Sequence, residues 1–128
     1  MKSGIAITIL IALFNLTQAQ QPIFEENFDY PVGTNLTGYG WNAHSGSGNN
    51  PIQITAPGLT FSNYPPSGVG NAVSLVATTS SAEDASKNFQ EQSVGDVYAA
   101  FMVNVTDAQE TGTYFFHLGP TVLSTTFR

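Results

Sequence analysis

The residues best suited to chemistry in this 128-residue chain are aromatic rings and amides in two glycine-rich stretches. Tyr39, Trp41, Asn42 and His44 lie in the first stretch, and Tyr64 lies in the second. An exposed aromatic ring can stack on a sugar while neighbouring amides and hydroxyls bond its oxygens. These five residues therefore predict a ligand-binding site for carbohydrate. The alternative, which the residues favour for Trp41, is that its ring packs beneath its own loop.

The carboxylates do not form the pattern of a glycosidase site. A retaining glycosidase needs two carboxyl groups about 5 Å apart across its cleft. Glu25 and Glu26 are adjacent, as are Glu83 and Asp84. Adjacent residues on a strand point to opposite faces of the sheet, so neither pair can converge. The sequence therefore predicts no catalytic residues and a non-enzymatic function.

Other catalytic and metal-binding classes have little support. His44 and His117 are far apart in the sequence, and neither has a carboxylate at an informative spacing. We expect both to be packed or hydrogen-bonded residues rather than metal ligands or bases. The chain has no cysteine, which excludes a thiol nucleophile and a structural zinc site of the cysteine type.

The first 19 residues have the pattern of a secretory signal peptide. Lys2 precedes an apolar run over residues 5–14, and Thr17 and Ala19 supply small residues at the −3 and −1 positions of a cleavage site. The run is shorter than the roughly 20 residues that span a bilayer. We therefore expect residues 1–19 to be removed, no membrane insertion afterwards, and a secreted, extracellular or cell-surface location for residues 20–128.

The net charge of the predicted mature chain restricts the classes of partner that it can bind. Residues 20–128 hold two basic residues, Lys87 and Arg128, against nine acidic ones, a net charge of −7 with neutral histidines. Nucleic-acid binding needs a basic surface, and so does docking on anionic lipid. Only 9% of all residues are charged, and glycine, serine, threonine and asparagine take their place. Such a composition is typical of extracellular β-sandwiches.

Short alternating runs between turn residues predict strands throughout the mature chain. In the first run, Phe24 and Phe28 share a face with Glu26, and in a later run Phe89 shares a face with Lys87. Residues 34–51 and 63–70 are expected to be loops. The predicted strands cover residues 23–28, 52–55, 59–61, 72–79, 83–89, 97–106, 113–118 and 122–128. The fold class is therefore all-β, an antiparallel β-sandwich in one domain.

Residues 24–34, read as FEENFDYPVGT and followed by Gly40-Trp41, resemble the start of a concanavalin A-like (LamG-type) jelly-roll domain. Further matches are GVGNA at residues 68–72, VYAAFMVNV at 97–105 and YFFHLG at 114–119. Such domains are common in secreted and surface proteins of Bacteroidetes and related bacteria. The resemblance covers nearly all of residues 20–128.

The resemblance implies three further features. Concanavalin A-like domains are longer than this chain, so the jelly roll is expected to be incomplete at its C-terminus and completed by partner strands. Many of these sandwiches hold one structural calcium, which oxygen ligands in loops would bind. Asp29 and Asp107 are the candidate metal ligands, although no Asp-x-Asp-x-Asp loop is present. No other cofactor is expected.

The residues and the resemblance together favour an exported binding or adhesion module within a larger surface protein. Its expected partner is a glycan or another surface polymer. Two alternatives remain open at this point. The chain could be the N-terminal part of a secreted polysaccharide hydrolase or lyase, or it could be a structural spacer. Fold alone does not choose between these functions.

Overall fold

The computed structural model describes residues 21–65, 67–76, 82–108, 110, 112 and 114–123. The predicted signal peptide and the end of the last predicted strand, residues 124–128, lie outside these ranges. Within them, no helix is long and apolar enough to cross a membrane.

Among the described residues, four short strands form two antiparallel sheets of two strands each. They are β1 (Asn42–Ser45), β2 (Gln53–Thr55), β3 (Ala72–Ser74) and β4 (Asp84–Ser86). β1 pairs with β4, and β2 pairs with β3. A 3₁₀ turn, Leu36–Tyr39, precedes β1. The described part of the chain thus contains small antiparallel sheets and no α-helix, which confirms the all-β class.

β2 is bonded along both of its edges. On one side Ile54 lies opposite Val73 of β3. On the other side the Gly33 N–H donates to the Ile54 carbonyl at 2.9 Å, and the Leu36 N–H donates to the Ile52 carbonyl at 2.8 Å. Since a strand bonded on both edges has no free backbone groups there, β2 is the central element of this part of the fold.

The hydrophobic core consists of Leu36, Ile52 and Ile54, of which Ile54 is only 1% exposed. Full burial of one such aliphatic side chain stabilises the fold by roughly 1.5–3 kcal/mol. Partly buried residues from the segment before β1, from β3 and from β4 pack around these three: Phe28, Tyr30, Trp41, Val73 and Ala85. The core therefore joins both sheets to the segment that carries the candidate ligand-binding residues.

The predicted strand at residues 23–28 is not formed. Phe28 has a φ of 53°, which lies in the left-handed region, and the Tyr30 N–H donates to the Phe28 carbonyl at 2.7 Å. A bulky residue rarely adopts this conformation, and it turns the chain out of an extended path. The turn brings Phe28 and Tyr30 onto the core cluster.

Other strand predictions were partly wrong. The predicted strands at 52–55, 72–79 and 83–89 appear as β2, β3 and β4, which are shorter, and residues 77–79 lie outside the described part. β1 lies in a stretch that we expected to be a loop. Residues 59–61 and the described residues of 97–106, 114–118 and 122–123 form no strand.

Apolar side chains are exposed in the wrongly predicted strands at residues 97–106 and 113–118. An alternating pattern places apolar side chains on one face of a strand, but it does not supply the neighbouring element that would cover that face. Examples with 40–65% exposure are Val97, Phe101, Val103, Val105, Phe116 and Leu118. Phe101 contacts the rings of Phe115 and Phe116, at centroid distances of 5.8 and 4.9 Å. We call residues 97–105 and 114–118 the apolar segment.

Candidate functional site

The carboxylate of Glu26 organises the surroundings of Trp41. Its Oε2 atom accepts hydrogen bonds from Trp41 Nε1 at 3.1 Å, from the Tyr30 hydroxyl at 3.1 Å and from Lys87 Nζ at 2.9 Å. Its Oε1 atom accepts the backbone N–H of Phe28 at 3.0 Å. One carboxyl group therefore fixes the orientation of the indole ring and ties it to two other segments of the chain.

Electrostatics favour the charged form of both members of the ion pair. Burial alone would raise the pKa of the Glu26 carboxyl, but the hydrogen bonds from Lys87, Phe28, Trp41 and Tyr30 outweigh burial and lower this pKa. The hydrogen bond to Glu26 raises the pKa of Lys87, against the opposing effect of burial. The Lys87 and Glu26 side chains are only 27% and 11% exposed. The pair is thus shielded from water more than a surface salt bridge is.

Aromatic rings enclose the same ion pair. Lys87 Nζ lies 5.7 Å from the ring centroid of Trp41 and 5.9 Å from that of Phe24, within the range of cation–π attraction. The Trp41 ring also meets Phe24 edge-on at 6.4 Å and Phe28 at 6.1 Å. Trp41 is half-buried as a residue, and its indole packs against these two phenylalanine rings. The rings that Trp41 contacts, Phe24 and Phe28, precede its own loop, and the ligand-binding role of Trp41 stays a prediction.

Tyr39 joins this cluster through Tyr30. The two tyrosine rings are stacked, with centroids 4.4 Å apart and an angle of 11° between their planes. Tyr30 in turn donates its hydroxyl hydrogen bond to Glu26. Two of the predicted ligand-binding residues, Tyr39 and Trp41, are therefore linked by one hydrogen-bonded aromatic network.

Asn42 and His44 follow Trp41 on β1, and both are exposed. Ala43 lies opposite Ala85, and Ser45 lies opposite Asp84, so His44 is an extra residue at a β-bulge. Bulges redirect side chains and occur frequently beside binding sites. The structure thus places Asn42 and His44 on an accessible strand next to the fixed Trp41.

Tyr64 is half-buried in a different loop. Its N–H donates to the Phe61 carbonyl at 3.2 Å, and its own carbonyl accepts the N–H of Ser67 at 2.9 Å. These contacts hold Tyr64 within the loop at residues 59–68. The described contacts do not link Tyr64 to the Trp41 cluster.

The candidate calcium ligands are both exposed. Asp107 accepts the N–H of Ala108 at 2.9 Å through Oδ1, and Asp29 lies at the surface beside the turn that follows Phe28. Among the described residues, no group of three or more histidines, aspartates and glutamates could hold a metal ion. The structural calcium stays a prediction.

The structural roles of two carboxylates, Glu26 and Glu83, were not predicted from the sequence. Glu83 is 6% exposed and accepts the N–H groups of Gly48 and Ile52 at 2.9 and 3.4 Å. The burial of Glu83 was difficult to predict, because a glutamate beside Asp84 at a strand end is expected to be solvated. Glu26 had a clearer signal: it shares an apolar face with Phe24 and Phe28, as Lys87 does with Phe89. Opposite charges on two apolar faces indicate a buried ion pair.

Comparison with known proteins adds no relative to these observations. No protein-family model matches the chain, and neither a curated protein nor a solved structure is significantly similar to it.

Proposed function

We propose that this protein is an exported, non-enzymatic recognition module that binds a carbohydrate or a similar surface polymer. The observation that carries the proposal is the oriented indole of Trp41, a partly exposed residue, with exposed Asn42 and His44 on the strand that follows it. A ring that is already oriented loses little conformational freedom when a ligand binds, so less binding energy is lost to ordering. Neighbouring amide and imidazole groups supply the directional hydrogen bonds.

Charge indicates that the ligand is neutral. The mature chain carries a net charge of −7, and Lys87, its only basic residue apart from Arg128, is already bonded to Glu26. An acidic polysaccharide would be repelled by this net charge, and Lys87, the one basic side chain among the described residues, is already paired. Neutral glucans, xylans and mannans are the ligand classes that fit.

The use of the carboxylates favours binding over hydrolysis. Glu26 bonds Trp41, Tyr30 and Lys87, and Glu83 bonds two backbone N–H groups. A retaining hydrolase needs two carboxyl groups that are free to meet the same glycosidic bond. Both of these carboxylates instead have structural partners, which supports a binding role for this part of the protein.

The finer fold assignment belongs to the same proposal. We infer a concanavalin A-like β-sandwich in which further strands cover the apolar segment. Its exposed valine and phenylalanine side chains, with Val105 at 65% exposure, support this assignment. Large exposed apolar patches mark surfaces that another element covers. An adhesive role within a larger surface protein accords with an exported module of this kind.

Retention on insoluble glycans tests the proposal. The purified protein is applied to cellulose, xylan, mannan and β-1,3-glucan, together with the variants Asn42→Ala and Gln53→Ala. Both residues are exposed amides on strands, but only Asn42 adjoins Trp41. We expect retention on at least one neutral glycan, weakened by Asn42→Ala and unchanged by Gln53→Ala. Equal retention of both variants, no retention at all, or release of reducing sugar would contradict the proposal.

A further inference from the structure

The loop that follows β1 carries polar groups suited to sugar hydroxyls. Its sequence is Ser45-Gly-Ser-Gly-Asn-Asn50, and Ser45, Ser47, Asn49 and Asn50 are all exposed. Hydroxyl and amide groups both donate and accept hydrogen bonds, as sugar hydroxyls do. No lysine or arginine lies between residues 42 and 52. The loop therefore presents uncharged hydrogen-bonding groups directly after Asn42 and His44 in the sequence.

Hydrogen bonds to Glu83, the residue before β4, restrain this loop. The Oε2 atom of Glu83 accepts the Gly48 N–H at 2.9 Å, and Oε1 accepts the Ile52 N–H at 3.4 Å. The backbone N–H of Glu83 also donates to the Asn49 carbonyl at 2.7 Å. The Glu83 carboxyl that accepts the first two of these bonds is almost fully buried. The middle and the end of the loop are thus tied to one side chain.

A tight turn at Gly46 restrains the start of the loop. The Asn49 N–H donates to the Gly46 carbonyl at 2.9 Å, which closes a tight turn. Gly46 has a φ of 58°, and a Cβ at this position would collide with the backbone carbonyl of Ala82. Only glycine fits this close approach without strain. These contacts restrict the backbone of the loop, while Ser47, Asn49 and Asn50 stay exposed.

We infer that the loop at residues 45–50 is the part of the recognition site that hydrogen-bonds sugar hydroxyls, and that Glu83 is its positioning residue. The inference rests on the proposed function, because the loop directly continues β1, which carries the exposed residues Asn42 and His44. β1 connects the two regions directly, at about 3.3 Å per residue.

Calorimetric titration of the purified protein with cellohexaose, laminarihexaose, xylohexaose and mannohexaose tests the inference. The variants are Ser47→Ala and Asn49→Ala, with Gln53→Ala as the control. Loss of one hydrogen bond should weaken binding roughly three- to tenfold, and the control should not change it. Binding that Asn42→Ala weakens but both loop variants leave intact would overturn the inference and leave the proposed function standing. No binding of any of these sugars by the unaltered protein would overturn both.

The role of Glu83 has a separate readout. Glu83→Gln keeps the side-chain volume but presents an N–H₂ group to one of the two backbone donors. We expect faster amide hydrogen exchange at Gly48 and Ile52 and weaker binding of the same sugar, while Glu91→Gln, at an exposed site, changes neither. Unchanged exchange at Gly48 would overturn the positioning role. If Glu83→Gln does not fold, slow exchange at Gly48 in the unaltered protein supports the role, and fast exchange there contradicts it.

Discussion

Glu26 and Lys87 lie 61 positions apart in the sequence and form an ion pair 2.9 Å long that Trp41 and Phe24 enclose. Lys87 lies next to β4, and Glu26 lies in the segment that precedes the core residue Leu36. The pair therefore connects the N-terminal segment to the sheet formed by β1 and β4. Removing one partner leaves a shielded charge without compensation, which costs more than the pair itself contributes.

Replacing the lysine should destabilise the fold measurably. For Lys87→Met we expect the free energy of unfolding to fall by about 1–3 kcal/mol, since the Glu26 carboxylate loses its cation. Trp41 is the only tryptophan, so its fluorescence during urea unfolding reports directly on this site. Lys87→Arg keeps the charge and should cost less. Equal stability of Lys87→Met and the unaltered protein would contradict the structural role of the pair.

The same ion pair predicts a loss of stability in acid. The pKa of Glu26 is lowered in the folded protein, so its contribution is fully present above the ordinary carboxyl pKa of about 4.3. This contribution is lost as the pH falls through the lower pKa of the folded state. Urea midpoints measured between pH 7 and pH 3 should fall more steeply for the unaltered protein than for Glu26→Gln. Parallel curves would show that Glu26 does not contribute to the acid transition.

Two glycine-to-alanine substitutions distinguish the cost of a steric clash from the cost of an unfavourable backbone conformation. Gly46 and Gly95 both have positive φ values, 58° and 81°, but only a Cβ at Gly46 meets the Ala82 carbonyl. Gly46→Ala should therefore destabilise the protein by roughly 1–3 kcal/mol more than Gly95→Ala does. Thermal unfolding of both variants measures this difference. Similar losses for the two would mean that the loop at residues 45–50 is not held as tightly as its contacts indicate.

Exposed rings of the apolar segment should make the isolated protein associate. Phe101 and Phe116 are 48% and 47% exposed, and they contact each other. We expect the protein to bind an apolar dye and to self-associate in light scattering, and Phe101→Ser with Phe116→Ser to reduce both. Phe61→Ser removes a ring that is 71% exposed but lies in a separate loop, outside the apolar segment, and it should have less effect. A monodisperse monomer that binds no dye would contradict this expectation.

Sequence patterns located three of the four strands because their apolar residues reach the core. Ile54, Val73 and Ala85 pack in or against the cluster around Leu36, and all three lie in runs that we predicted as strands. β1 was not predicted, since only Ala43 among its residues is apolar. Its pairing with β4 is a non-local choice that a local pattern does not encode.

The strongest alternation in the chain, at residues 97–105, gave the clearest wrong prediction. Val97, Phe101 and Val105 follow the period of a strand, yet the described residues there form no ladder. Alternation states which side chains would share a face, and it does not provide the neighbouring strand that bonds the backbone. Of the five predicted ligand-binding residues, the structure links Tyr39 to Trp41 and places Asn42 and His44 beside them. Tyr64 is held in its own loop.

Fluorescence of Trp41, titrated with neutral oligosaccharides, tests the central claim most directly, because this ring is the sole tryptophan and the centre of the proposed site. The account predicts a saturable change in emission with at least one of cellohexaose, laminarihexaose, xylohexaose and mannohexaose, weakened by Asn42→Ala and unaffected by Gln53→Ala. A spectrum that stays constant at millimolar concentrations of all four sugars would contradict it.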